Sequence, residues 1–189
     1  MAGDSAGAVG TRIWTIPNVL SMLRLALVPL FLAVGLSSGD GRSGLAFALF
    51  AFIAWSDYFD GMAARVTGQY SRLGALLDPL TDRVLVVSGA LVSWHYETLP
   101  RWALALLAAR EALMLVLTQL ALRRGIDLNV SMLGRWAVWP VMSALALALL
   151  IDGWVLDVVL YVGLAMTLAA TARYLQDGMR ALRKASSST

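Results

Sequence analysis

The chain has 189 residues, 59% of them hydrophobic and 14% charged, with a formal charge of +3 and a mean hydropathy of +0.73. Soluble domains are about 45–50% apolar and about 25% charged, so an ordinary cytosolic domain, a disordered chain and a polar, basic nucleic-acid module are excluded. With no cysteine, disulfides and cysteine-ligated zinc or iron–sulfur centres are excluded too.

At ~20 residues per span, length and composition predict an all-α integral membrane protein of about six transmembrane helices. Residues 1–10, MAGDSAGAVG, lack the basic and apolar regions of a signal peptide and read as a disordered N-terminal tip. Thr11 to Pro17 reads as an interfacial segment with Trp14 at headgroup depth. Helices are then expected near Val19–Ser37, Gly44–Thr67, Leu73–Tyr96, Leu99–Arg123, Val130–Ile151 and Trp154–Arg173. Turn signals separate them: SSGDGRSG at 37–44, TGQYS at 67–71, RRGIDLN at 123–129 and IDG at 151–153. The membrane domain covers 11–184, and 185–189 is a polar tail. The longest charge-free run, Trp136 to Ile151, has only 16 residues. Each span is therefore long enough only with charged residues at one end. A bundle interior or a water-filled cavity holds such residues; lipid does so at high cost.

Basic residues set the orientation. With Met1 inside, twelve fall at cytoplasmic ends: Arg12, Arg24, Arg65, Arg72, Arg83, Arg123, Arg124, Arg135, Arg173, Arg180, Arg183 and Lys184. Only Arg42 and Arg101 fall outside, and Arg110 lies within the fourth helix. This bias predicts that both termini are cytoplasmic.

Asp57, Asp60, Asp78 and Asp82 hold four of the chain's twelve acids within one short stretch. The first pair is three residues apart and the second four, so each pair shares a helix face. Gly61 and Ala64 accompany the first pair, and Gly74 precedes Asp78 by about one turn. Small residues let helices approach closely, and the short TGQYS link makes the two helices antiparallel neighbours. Four carboxylates brought to one depth cannot all stay ionised without compensating positive charge. Their hard oxygens, with no nitrogen or sulfur ligand nearby, favour Mg²⁺, Mn²⁺ or Ca²⁺ over zinc. The alternatives are a hydrogen-bond network at the helix ends, or a proton or cation pathway in a small transporter. The single histidine, His95, falls at the opposite end of its helix.

Read as a pattern, Asp57 to Asp82 gives D-x2-D-G-x2-A-R-x8-G-x3-D-x3-D. This resembles the signature of the CDP-alcohol phosphotransferases, with every fixed position filled, and the wider resemblance runs from about Thr15 to Arg183. It implies a six-helix membrane enzyme, commonly a homodimer, with its site at the cytoplasmic face. The implied donor is CDP-diacylglycerol. The resemblance makes Asp57, Asp60, Asp78 and Asp82 ligands for two divalent ions, Mg²⁺ or Mn²⁺. It also makes Asp82 the general base on the acceptor hydroxyl. Gly61, Ala64, Arg65 and Gly74 are placed at the donor.

Segments outside the signature bear on the acceptor. Thr15 to Arg24, TIPNVLSMLR, resembles the entry to the first helix of phosphatidylglycerophosphate synthases and related CDP-diacylglycerol-using cardiolipin synthases. Asn18, Ser21 and Arg24 lie roughly on one face, which suits either donor contact through Asn18 or an interfacial start with Arg24 snorkelling. Ala108-Ala109-Arg110-Glu111 resembles an I-A-R-E segment of the same group, and Gly134-Arg135 stands where many of its members have Gly-Lys. Arg110 and Arg135 are thus candidates for the acceptor's phosphate, with a structural Arg110–Glu111 ion pair as the alternative. The expected acceptor is glycerol 3-phosphate, followed by phosphatidylglycerol and then inositol phosphate. A small cation transporter is the non-enzyme alternative, and release of CMP distinguishes it. No nucleic-acid partner is expected.

Overall fold

The computed structural model describes the backbone of residues 16–67, 72–123 and 132–186; the side chains of 1–18, 20, 57–79, 121–135, 177 and 180–189 lie outside the description. Six α-helices occupy these residues, with no strand among them: α1 (Ile16–Leu36), α2 (Gly44–Thr67), α3 (Arg72–Tyr96), α4 (Arg101–Arg123), α5 (Met132–Leu147) and α6 (Trp154–Ser186). The predicted bounds of α2 are met, and those of α3 and α4 are met to within two residues at each end.

Three helices depart from expectation. α1 starts at Ile16 rather than Val19, taking in the last two residues of the expected interfacial segment. α5 stops at Leu147 and residues 148–150 form a turn, with the Ala148 and Ile151 amides bonded back to Ala144 and Leu147. α6 does not stop at Arg173 but runs to Ser186, 33 residues in all, taking in the start of the expected polar tail. The residues beyond Arg173 are good helix formers apart from Gly178, and nothing in Leu175 to Lys184 breaks a helix.

Local chemistry sets the other ends. Ser43 caps α2: its Oγ accepts the Ala46 amide at 3.2 Å. α3 closes through Glu97 in the left-handed region, φ 56°, with the Thr98 amide reaching the Ser93 carbonyl at 3.1 Å. Pro100 follows at once, and its carbonyl accepts the Ala103 and Leu104 amides that open α4. The tight loop after α1 needs Gly41, φ 82°. A β-carbon there would lie 2.7 Å from that of Tyr96.

α3 is the hub, packed on α1, α2, α4 and α5; α6 packs on α5 and α4. The core fills with aliphatic side chains and one edge-to-face pair, Phe31 and Phe50, at 5.4 Å. Large apolar side chains also point outward on every helix, among them Leu30, Phe52, Leu91, Trp102, Trp139 and Val162. Such a surface suits lipid rather than water. Among the described residues, two helical stretches are long and apolar enough to cross a membrane, Arg101–Leu120 and Trp154–Gln176. Ser21–Leu36, Gly44–Ser56 and Trp136–Leu147 are shorter apolar runs. The acids and arginines near one end of α2 and α3 interrupt the apolar runs there.

Contacts fix the two ends of the bundle. At one end Tyr96 Oη donates to the Leu36 carbonyl, the Ser43 amide to the Leu149 carbonyl, and Arg42 pairs with Asp152. The opposite end holds the start of α1, the end of α2, the start of α3 and the end of α4.

Candidate active site

The antiparallel pair α2 and α3 carries all four predicted aspartates toward that opposite end. Asp57 and Asp60 lie in the last half of α2, Asp78 and Asp82 in the first half of α3, and the two helices pack together. α3 continues as a helix through Pro79. The side chains of Asp57, Asp60, Gly61, Ala64, Arg65, Gly74 and Asp78 lie outside the description, as do those of Asn18 and Arg135. Among the described residues no group of three metal-ligating side chains forms.

Asp82 is the described carboxylate of the four. Its Oδ1 lies 3.8 Å from Arg24 Nη1, and its side chain is 43% exposed while that of Arg24 is 1% exposed. Arg24 also reaches Ser21 Oγ at 3.5 Å. A guanidinium this deep is not snorkelling to an interface. It belongs to the polar interior, and α1 brings it to α3. Burying a guanidinium is costly without a partner, so the contact with Asp82 supports the buried position.

A second polar cluster sits beside it. Arg83, next in sequence to Asp82, turns toward α4 and donates through Nη1 to Glu111 Oε2 and to the Glu111 carbonyl, each at 3.3 Å. Arg110 Nη1 donates to Glu111 Oε1, and Arg110 Nε donates to Thr171 Oγ1 at 3.0 Å. Thr171 in turn donates to the Thr167 carbonyl at 2.9 Å. One carboxylate, 7% exposed, thus ties two guanidiniums from adjoining helices, and α6 supplies a hydroxyl acceptor. Arg110 forms the structural ion pair with Glu111 that the sequence offered as the alternative. Among the described residues, Arg83 and Arg110 share the Glu111 carboxylate.

Sequence reasoning placed Arg83 among the interfacial cations and passed over Thr167 and Thr171. The signal was present for the threonines, two hydroxyl residues four apart in the charge-free run Val158 to Ala172. For Arg83 it was adjacency to Asp82 in a helix, which turns the next side chain by ~100° onto the neighbouring helix.

Asp82 and Glu111 thus meet one buried and two partly buried guanidiniums, an arrangement suited to anionic phosphate groups. The profile of the CDP-alcohol phosphatidyltransferase family matches residues 14–169, and the chain belongs to that family. It is similar to a Streptomyces coelicolor protein named cardiolipin synthase (CMP-forming), 40% identical over 175 residues, covering 89% of this chain and 81% of the relative. A Mycobacterium tuberculosis protein named putative cardiolipin synthase is 39% identical over 132 residues, 69% of this chain and 62% of its own length. A Cereibacter sphaeroides protein named CDP-diacylglycerol–glycerol-3-phosphate 3-phosphatidyltransferase is 32% identical over 147 residues, 74% and 65% of the two chains. The match thus spans a little under two thirds of the length of the latter two relatives.

Proposed function

We propose that the chain transfers the phosphatidyl group of CDP-diacylglycerol to a primary hydroxyl of a glycerol-bearing acceptor, with glycerol 3-phosphate first, and releases CMP. The carrying observation is one of placement: the aspartate-bearing ends of α2 and α3 share one end of the bundle with buried Arg24 and the Arg83–Glu111–Arg110 cluster. The protein sits in the cell membrane as a homodimer of six-span protomers, with both termini and the site on the cytoplasmic side. The basic-residue bias and the outward apolar side chains support that topology.

The donor set suits a hard cation, since Asp57, Asp60, Asp78 and Asp82 offer carboxylate oxygens only. Mg²⁺ or Mn²⁺ held there, as one ion or two, supplies charge neutralisation for the donor's diphosphate. Gly61, Ala64 and Gly74 leave room for the cytidine end of the donor, and Arg65 and Asn18 contact it. Asp82 takes the proton from the acceptor hydroxyl. The hydroxyl oxygen forms a bond to the phosphatidyl phosphorus, and the bond from that phosphorus to the oxygen of CMP breaks. Arg24 beside Asp82 orients the carboxylate between turnovers. Arg110 and Arg135 hold the acceptor's phosphate, and the sharing of the Glu111 carboxylate between Arg83 and Arg110 supports this role for Arg110.

Phosphatidylglycerol is the second reading of the acceptor. The observation favouring it is the 40% identity to the Streptomyces coelicolor protein named cardiolipin synthase (CMP-forming). Both acceptors present a glycerol hydroxyl near a phosphate, so the chemistry is shared. Purified protein given labelled CDP-diacylglycerol and each acceptor in turn decides the matter. Phosphatidylglycerophosphate as product supports the first reading and cardiolipin the second. Turnover with neither, but with inositol phosphate, contradicts both.

A further inference from the structure

Arg110 is held from two helices. Glu111 follows it on α4, where adjacent side chains diverge by ~100°, so that pair alone does not fix the guanidinium against the rest of the bundle. The link to another helix is Thr171 on α6, whose Oγ1 accepts the Arg110 Nε–H at 3.0 Å. The Arg110 side chain is 10% exposed and Thr171 5%, so water competes little for this bond. Thr171 gives its own proton to the Thr167 carbonyl at 2.9 Å, which leaves its oxygen lone pairs for the guanidinium.

The position of the bond on the arginine matters. Nε is the inner nitrogen of a planar fork, so a contact there sets the tilt of the whole guanidinium, while Nη1 meets the Glu111 carboxylate. An arginine side chain is rich in rotamers, and holding one geometry before a ligand arrives lowers the cost of binding it. α6 carries none of the four predicted aspartates. Thr171 ties it to the site all the same, through a hydroxyl that an apolar residue of the same shape cannot replace.

We infer that Thr171 is a positioning residue for the acceptor: its hydroxyl holds the Arg110 guanidinium in the orientation that meets the acceptor's phosphate. The inference rests on the transferase reading and on the role given there to Arg110. Thr171 itself touches neither substrate; it acts through Arg110.

The test measures CMP release by the full-length protein, with CDP-diacylglycerol and either glycerol 3-phosphate or phosphatidylglycerol varied in turn. Thr171→Val keeps the branched shape and removes the hydroxyl. Its acceptor KM should rise roughly tenfold or more, the usual worth of a hydrogen bond to a charged group, with the donor's KM unchanged. Thr171→Ser should restore the acceptor KM. Thr118→Val serves as control, because it removes a hydroxyl bonded within its own helix to the Met114 carbonyl; its acceptor KM should match the wild type. Should Thr171→Val not fold, Thr171→Ser against Thr171→Ala isolates the same hydroxyl. A wild type that releases CMP, with Thr171→Val at the same acceptor KM, would overturn the inference and leave the transferase reading standing. So would a parallel rise in both KM values, or an equal rise in Thr118→Val, since either marks a merely structural effect. A wild type that releases no CMP with either acceptor overturns the transferase reading and this role with it.

Discussion

Asp82 and Arg24 meet at 3.8 Å, one partly exposed and the other buried, on helices far apart in sequence. This contact makes Asp82 the residue where chemistry and binding can be separated. Asp82→Asn keeps size and one acceptor oxygen. It should keep much of the affinity for a CDP-alcohol while turnover falls ~10²–10⁴-fold, the range of general-base catalysis. Titration calorimetry and CMP release on one preparation check this. Parallel loss of donor affinity would make Asp82 chiefly a ligand, and near wild-type turnover would remove it from the reaction. Glu111 supports a different prediction. Its carboxylate joins Arg83 and Arg110, so Glu111→Gln leaves two partly buried guanidiniums sharing a neutral amide. Breaking a buried ion pair costs about 3 kcal/mol or more. The variant should melt earlier in detergent and show a raised KM for the acceptor with the donor's KM unchanged. An unchanged melting temperature would mean a solvated pair of little consequence. The four aspartates and Arg110 were legible in the sequence because charge in an apolar chain is conspicuous. The partner of Arg110 on α6 was not, since a threonine is at home in any membrane helix.

At the scale of elements, close helix approach is what holds the site's scaffold. A β-carbon on Gly163 of α6 would lie 2.8 Å from the Val141 backbone nitrogen and 2.7 Å from Val141 Cγ2 on α5. Backbone cannot swing aside, so Gly163→Ala should destabilise by about 1–3 kcal/mol. Gly178, also on α6, has open space around it. There Gly178→Ala should stabilise by up to about 1 kcal/mol through helix propensity. Thermal unfolding of the two variants in the same detergent tests the pair; equal shifts would deny the tight α5–α6 contact. Three of the six helices were bounded well by turn residues and caps, such as Ser43 and Pro100, that act locally. The early stop of α5 and the long run of α6 were not legible. Hydropathy marks where a lipid-facing stretch ends, and helical hydrogen bonding does not stop at that point.

Taken as a whole, the molecule places outward apolar side chains around an interior whose one end is polar and charged. The family was legible because the signature is a fixed spacing of acids and small residues on two packed helices. The acceptor was not, because glycerol 3-phosphate and phosphatidylglycerol offer the same hydroxyl and differ in groups that contact other surfaces. The central claim is that the carboxylates of α2 and α3 support phosphatidyl transfer with a divalent ion. The direct measurement is CMP release from CDP-diacylglycerol by protein stripped of metal, with glycerol 3-phosphate and phosphatidylglycerol both supplied. Release should be absent in excess chelator and return on adding Mg²⁺ or Mn²⁺. Full release in the presence of the chelator, or none after either ion is restored, would contradict the account.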